Sequence, residues 1–584
     1  MTAREHNSRS ARAKTSAPRQ NPEESMTYRR IPDSVLLGVL AALAAAALSW
    51  WWLRGQPRPL PEPPQARLQC VSYAPYRLPG ETPHDPTARV AEARIEADLR
   101  LLQARTSCVR TYTVGEGLEA VPAVARRLGM TVLMGAWIGR DRDRNARELS
   151  SAIALAQANR DVVRALIVGN EVLLRRELPA AELARLLTRA RREAGVPVTY
   201  ADVWEFWVRN PQLAPHVDFL TVHILPYWED EPVGVAKALD HVMEIHQHVR
   251  EAFPGREILI GETGWPSIGR ARRDAVPGRV EQAAFVRGFV ASAAERGIRY
   301  NLIEGFDQPW KRGQEGAMGG GWGMLGSDGN AKFPWTGPVA ADPRWTEGLA
   351  AAGASALAFV VLAFARGRRA AGSLLAHALA GLATGAVLMA QWRYMVDWNR
   401  TPLEWATSGA WTLAAAVLGW LATERLADRS RAPAGPDASG LPSAASAARL
   451  LLSESRLPGR DGTIALLRLA VLFGAATMTV LLVFDARYRG FPWPLYVVPA
   501  MALVLLALAS DGPPRQAREE RLLATVIAAG VPVVAWMEQA QSAQAWTWLV
   551  VAACLAYGGW GRPGRGAHAA SPPSRTPTAA GSKQ

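Results

Sequence analysis

Hydrophobic and polar positions divide this chain into two regimes. Between residues 66 and 340, short β-rich runs alternate with stretches whose apolar residues recur every three or four positions. The runs 70–74, 107–112, 130–137, 163–170, 196–201, 218–224, 257–262 and 299–305 predict strands. The stretches 87–104, 145–158, 178–194, 233–252 and 280–296 predict the helices between them. On either side the alternation gives way to continuous apolar runs. Residues 34–53 form one of twenty residues, about the ~20 needed to cross a ~30 Å hydrocarbon layer. Seven more follow, near 348–365, 370–391, 404–422, 463–484, 494–510, 521–537 and 544–560.

Eight strand–helix alternations in about 275 residues suit a single (β/α)8 TIM barrel, whose usual size is ~250 residues. A doubly wound open sheet is the alternative, although no G-x-G-x-x-G follows the first strand. The expected fold class is α/β: a TIM barrel at 66–340 plus a polytopic all-α transmembrane region with one N-terminal helix and about seven C-terminal ones.

Charge changes the picture through its placement. Lys+Arg 66 against Asp+Glu 52 gives +14, but no aromatic–basic alternation or zinc spacing points to nucleic acid. The arginines gather instead in a basic arm (1–33), around 366–369, in a polar linker (423–462), near 515–518 and in the tail (561–584). Alternate loops hold few. Eight spans with both termini inside satisfy the positive-inside rule, which puts 66–340 outside the cytoplasm. Residues 34–53 read as an uncleaved anchor rather than a signal peptide, whose apolar core is usually 7–15 residues. Trp50, Trp51 and Trp52 close it with a type that settles at the headgroup interface. The Pro-rich stretch 54–65 is an extended stalk holding the barrel off the bilayer, and 561–584 a disordered tail. Spans 348–422 and 463–560 carry Glu404, Arg468 and Glu538 only at or just inside their ends, where snorkelling explains them. Of three cysteines, Cys554 falls in the last span. Cys70 and Cys108 open neighbouring strands, and a disulfide or two buried thiols fit equally.

A barrel builds its active site from the C-terminal ends of its strands. Those ends carry Tyr73, Arg110 and Tyr112, Trp137, Asn170 and Glu171, Asp202, His223, Glu262, and Glu304 with Asp307. Glu171 and Glu262 end the fourth and seventh strands, facing each other across the mouth. Two facing carboxylates, one protonated and one ionised, are what glycosidic bond cleavage requires. The alternative is that either glutamate merely pairs with Arg110. His223 lines the cleft or packs as a core histidine. His246 and His248 lie two apart on a helix and face different ways, so no metal or other cofactor is expected.

Val168-Gly169-Asn170-Glu171 and Gly261-Glu262-Thr263-Gly264-Trp265-Pro266-Ser267 resemble the two signature segments of glycoside hydrolase family 17, the β-1,3-glucanase and glucanosyltransferase family. Val109-Arg110-Thr111-Tyr112 and Glu304-Gly305-Phe306-Asp307-Gln308-Pro309-Trp310-Lys311 extend the similarity over about residues 68–335. The resemblance implies a retaining mechanism with Glu171 as acid/base, Glu262 as nucleophile and Asn170 bound to the sugar 2-hydroxyl. It offers Tyr73, Tyr227 and Trp265 for shaping or stacking on the sugar, and Glu304 and Lys311 for orienting the acid or its partner hydroxyls. Gln308 stands where many members have Glu, so that position's role does not carry over. The polytopic arrangement resembles bacterial β-(1→6)-glucan synthases, which implies a bacterial inner membrane with 66–340 on its periplasmic side. It therefore implies a glucan-remodelling glucosyltransferase acting on β-1,3-glucan, with an endo-β-1,3-glucanase and a noncatalytic glucan receptor or exporter as alternatives. The expected partners are a β-glucan, the lipid bilayer and a glucan synthesis or export protein.

Overall fold

The computed structural model describes residues 31–65, 67–85, 87–429, 441–453, 458–509 and 518–560. The basic arm and the tail expected from the sequence lie outside the described residues, apart from the arm's last three positions.

Eight parallel strands, β1 (Val71–Ser72), β2 (Cys108–Arg110), β3 (Thr131–Ala136), β4 (Val163–Asn170), β5 (Val198–Val203), β6 (Leu220–His223), β7 (Ile258–Thr263) and β8 (Arg299–Leu302), close into a barrel in chain order. Each falls within one residue or two of a predicted run, and closure excludes the open sheet. Six of the eight residues of β4 are buried, as expected of a strand with helices on one face and the barrel interior on the other. The surrounding helices follow the predicted periodicity. Ala180–Glu193, for example, buries Leu183, Leu187 and Ala190 along one stripe. Asp141 starts helix Arg142–Ala158 by accepting hydrogen bonds from the Asp143 and Arg144 amides. At the bottom of the barrel, Cys70 and Cys108 form a disulfide among Leu133, Ala165, Ile167, Ala201, Phe219 and Leu259.

Among the described residues, five helices are long and apolar enough to cross a membrane: Asp33–Gly55, Trp345–Ala365, Ala371–Trp398, Arg460–Phe484 and Arg518–Met537. Helices Pro402–Arg429, Trp493–Ala509 and Ala543–Trp560 occupy the other three expected positions. Trp493–Ala509 is short, at 17 residues, and polar and aromatic side chains dilute the other two. Within the expected linker, a ten-residue helix, Ala444–Ser453, packs against Arg460–Phe484.

Three expectations are corrected. The stalk folds back onto the barrel's own chain: Pro57–Arg58 pairs antiparallel with Val339–Ala340, and Glu62 accepts from the Gly337 amide at 2.8 Å. Trp51 turns into the helical region, donating to the Ala386 carbonyl at 2.9 Å, while Trp52 stays exposed. Arg468 and Glu538 do not snorkel. Arg468 is paired with Glu520 at 2.9 Å with both side chains buried, and Glu538 pairs with Arg270 of the barrel. A further buried cluster joins Arg368, Glu424 and His377, with both partners about 3.0 Å from the Glu424 carboxylate.

Candidate active site

Side chains from the ends of β2, β4, β6 and β7 converge in the mouth of the barrel. At β4 the ladder to β5 slips between Ile167 and Asn170. Gly169 takes φ 85° there, and a Cβ on it would stand 2.6 Å from Val172 Cγ2. Glu171 itself has φ 52°, a left-handed conformation uncommon for a non-glycine residue and typical of functional sites. The turn is fastened from below: the Glu171 amide donates to the Ala201 carbonyl at 2.7 Å, and Asp202 accepts from the Leu173 amide at 3.2 Å. This turn swings the Glu171 carboxyl into the mouth, where it keeps 22% of its side-chain exposure.

Glu262 sits on β7 directly beside His223 of β6, whose Cα it pairs with. It is nearly buried. Its Oε1 accepts from Arg110 Nη1 at 3.0 Å and from the Tyr112 hydroxyl at 2.9 Å. Oε2 accepts no hydrogen bond among the described residues. Arg110 binds further: Nη1 donates to the Gly261 carbonyl at 2.8 Å and Nη2 to Asn170 Oδ1 at 2.5 Å, so one guanidinium ties β4 to β7. Beneath it, Asn301 bridges Ser72 and the Gly261 carbonyl, both at 2.8 Å.

His223 lies between the two glutamates. Its Nδ1 is 3.1 Å from Glu171 Oε1 and its Nε2 is 3.6 Å from Glu262 Oε1. One ligand-type atom from each of the three lies within 4.8 Å of the others, so a Glu171 oxygen is that close to a Glu262 oxygen. Such a triple has the spacing of a cation site. The Arg110 guanidinium, however, already holds the position beside Glu262 and would repel a second cation.

Burial pushes the Glu171 carboxyl up, but the hydrogen bond from His223 and the charges of His223, Arg175 and Arg110 outweigh it, leaving the group below its ordinary value. Burial first, and then the negative Glu262, push the Tyr112 phenol well up, which keeps it a donor. Glu304 beyond β8 is raised to about 7 by burial, against the opposing pull of Lys311, whose Nζ lies 2.9 Å away. Glu315 is also raised, by burial first; of the charges acting on it, Lys311 lowers it while Glu171 and Glu262 add to the rise.

The structure therefore brings together Glu171, Glu262, His223, Arg110, Tyr112 and Asn170, with the Glu304–Lys311 pair alongside. Three expected sugar contacts are corrected. Tyr73, Tyr227 and Trp265 are all at most 1% exposed and present no open face. Tyr73 donates to Asp98 at 3.2 Å, Tyr227 to the Arg270 carbonyl at 2.6 Å and Trp265 to the Val276 carbonyl at 2.9 Å. Gln308 is buried, donating to the Ala74 carbonyl at 2.9 Å and accepting from Trp310. Sequence reasoning missed Ser72, Asn301 and Glu315. The first two break the apolar character of short strands, a usable signal; Glu315 follows no pattern.

Residues 70–323 match the family model described as the BtgE/BtgC glycoside hydrolase domain. Glucan 1,3-beta-glucosidase of Candida albicans is 28% identical over 263 residues, which cover 41% of this chain and 84% of that protein. The protein of the same name from Saccharomyces cerevisiae is 24% identical over 260 residues, 41% of this chain and 83% of its own. Among solved structures, the glycoside hydrolase family 17 beta-1,3-glucanosyltransferase of Rhizomucor miehei is 27% identical over 46% of this chain and 97% of that one, with a TM-score of 0.41.

Proposed function

We propose that this chain, an enzyme whose residues 70–323 are a glycoside hydrolase domain, is a membrane-anchored retaining transglycosylase that remodels β-1,3-glucan. The observation carrying this reading is that Glu171 and Glu262 converge in the mouth, one oxygen of each lying within 4.8 Å of the other, which supports the ~5–5.5 Å carboxyl spacing of direct attack over the ~6.5–9.5 Å of inversion. The names of the curated relatives support the β-1,3-glucan substrate.

In the first step the proton shared between Glu171 Oε1 and His223 Nδ1, 3.1 Å apart, passes through Glu171 to the glycosidic oxygen as the carbon–oxygen bond breaks. Glu262 Oε2 forms a bond to the anomeric carbon, giving a glucosyl ester and a free sugar hydroxyl. Arg110 and Tyr112 hold Oε1, so the attacking oxygen is aimed without losing its lone pair to a donor. Asn170, fixed by Arg110, presents its amide N–H to the 2-hydroxyl, a contact that strengthens as the oxocarbenium-like state forms. His223 shares the Glu171 proton and sets its acidity. In the second step Glu171 takes a proton from the incoming hydroxyl, which displaces Glu262 and restores the β linkage.

Water or a sugar can be that acceptor. The helical region favours a sugar: five helices among the described residues are long and apolar enough to anchor the barrel beside a membrane, and the arginine distribution and the Cys70–Cys108 bond support an extracytoplasmic, oxidising location. The new linkage we infer is β-1,6. The full chain in detergent, incubated with laminari-oligosaccharides, tests this. Longer products with β-1,6 linkages are expected; only shorter ones make it a hydrolase, and no turnover makes it a receptor.

A further inference from the structure

The loop between helices Arg460–Phe484 and Trp493–Ala509 belongs to the helical region, yet it stands at the rim of the barrel mouth. Gly316, in the loop after β8, abuts it so closely that a Cβ there would lie 2.4 Å from the Tyr488 carbonyl. The preceding residue is Glu315, whose carboxyl senses the charges of both Glu171 and Glu262. The Tyr488 ring meets the half-buried Trp228 edge-on at 6.1 Å, and Trp228 stacks on Trp322 at 6.4 Å and 14°. The Trp322 carbonyl in turn accepts from the Glu304 amide. An aromatic series thus runs outward from beside Glu304, which borders the catalytic pair, and its last ring is on another part of the chain. That ring is 40% exposed, and the exposed Arg487 guanidinium stands 5.7 Å from its centroid. An open ring beside a fork of N–H donors presents the two features a pyranose needs, a surface for its C–H face and partners for its hydroxyls.

We propose that Tyr488 and Arg487 form an outer glucan-binding subsite, supplied by the helical region, for sugar residues that extend beyond the catalytic pair. The inference rests on the glucan-active reading and adds that the helical region takes part in substrate recognition.

The test compares the full chain in detergent with Tyr488→Ala and Tyr488→Phe variants on laminaritriose and laminarihexaose. Tyr488→Ala is expected to lower kcat/KM for the hexaose about tenfold more than for the triose, the loss of one ring contact. Tyr488→Phe, which keeps the ring, is expected to restore most of that difference. Equal losses on both substrates, or no loss on the hexaose, overturn the subsite while leaving the catalytic reading intact. If the parent chain turns over neither sugar, the proposed function fails, and calorimetry decides the subsite separately. Hexaose binding to Glu262→Gln that is about tenfold tighter than to the Glu262→Gln/Tyr488→Ala double variant supports it; equal or absent binding overturns it.

Discussion

Arg110→Met removes the cation on which the catalytic arrangement is hung. Arg110 and Glu262 are 3.0 Å apart with side-chain exposures of 1% and 6%, so solvent cannot take over when one partner is lost. Deleting one member of such a buried pair costs about 3–5 kcal/mol, because the other charge is left uncompensated. The Tyr112 hydroxyl still donates to Glu262 at 2.9 Å, which places the expected loss near the lower end, about 3 kcal/mol. At roughly 2–4 °C per kcal/mol for a domain of this size, unfolding of the barrel should fall by about 6–12 °C. Tryptophan fluorescence of the full chain in detergent measures it. Arg110→Met/Glu262→Gln removes the stranded charge and should recover at least about 1.5 kcal/mol relative to the two single losses summed. Arg110→Met falling by less than about 1 kcal/mol, or strict additivity in the cycle, would refute the view that this pair is electrostatically coupled.

Other consequences are as direct. His223 opposes the upward push of burial on Glu171, so His223→Gln should raise the Glu171 pKa and move the alkaline limb of the kcat/KM profile to higher pH; a limb that stays or falls contradicts the contact. The Cys70–Cys108 bond closes a separation of 38 residues, for which chain entropy gives about 4 kcal/mol. Cys70→Ser/Cys108→Ser should lower the urea midpoint accordingly, and an unchanged midpoint would argue that the bond contributes nothing. Arg270→Met strands the buried Glu538 and should loosen the barrel from the helical region by about 3–5 kcal/mol, read as faster limited proteolysis of the 264–278 loop. Arg270→Met/Glu538→Gln should largely reverse this.

The barrel was legible because each element announces itself locally. A strand such as 163–170 is apolar apart from Arg164 and its terminal Asn170, and a helix such as Ala180–Glu193 alternates with helical period. The same locality made the two glutamates readable, since each ends a strong strand. What the sequence could not give is which side chains meet across the fold. Tyr227 and Trp265 were offered as sugar platforms from their residue type, yet their donors are taken up by backbone carbonyls at Arg270 and Val276. Glu538 looked like a helix-end charge, and only the folding of the chain brings Arg270, 268 positions away, to within bonding distance. The Arg368–Glu424–His377 cluster escaped notice for the same reason, its members being contributed by a loop and the two helices that follow it, whose facing sides no periodicity fixes.

The central claim is that Glu262 attacks the anomeric carbon while Glu171 handles the proton. Mass spectrometry of the full chain after exposure to a 2-deoxy-2-fluoroglucosyl donor with a good leaving group tests it most directly, because the fluorine slows breakdown of the ester. A glycosyl mass on the peptide containing Glu262, absent from Glu262→Gln, is the expected result. A label on another residue, or release of product with inverted anomeric configuration and no label, would contradict the account.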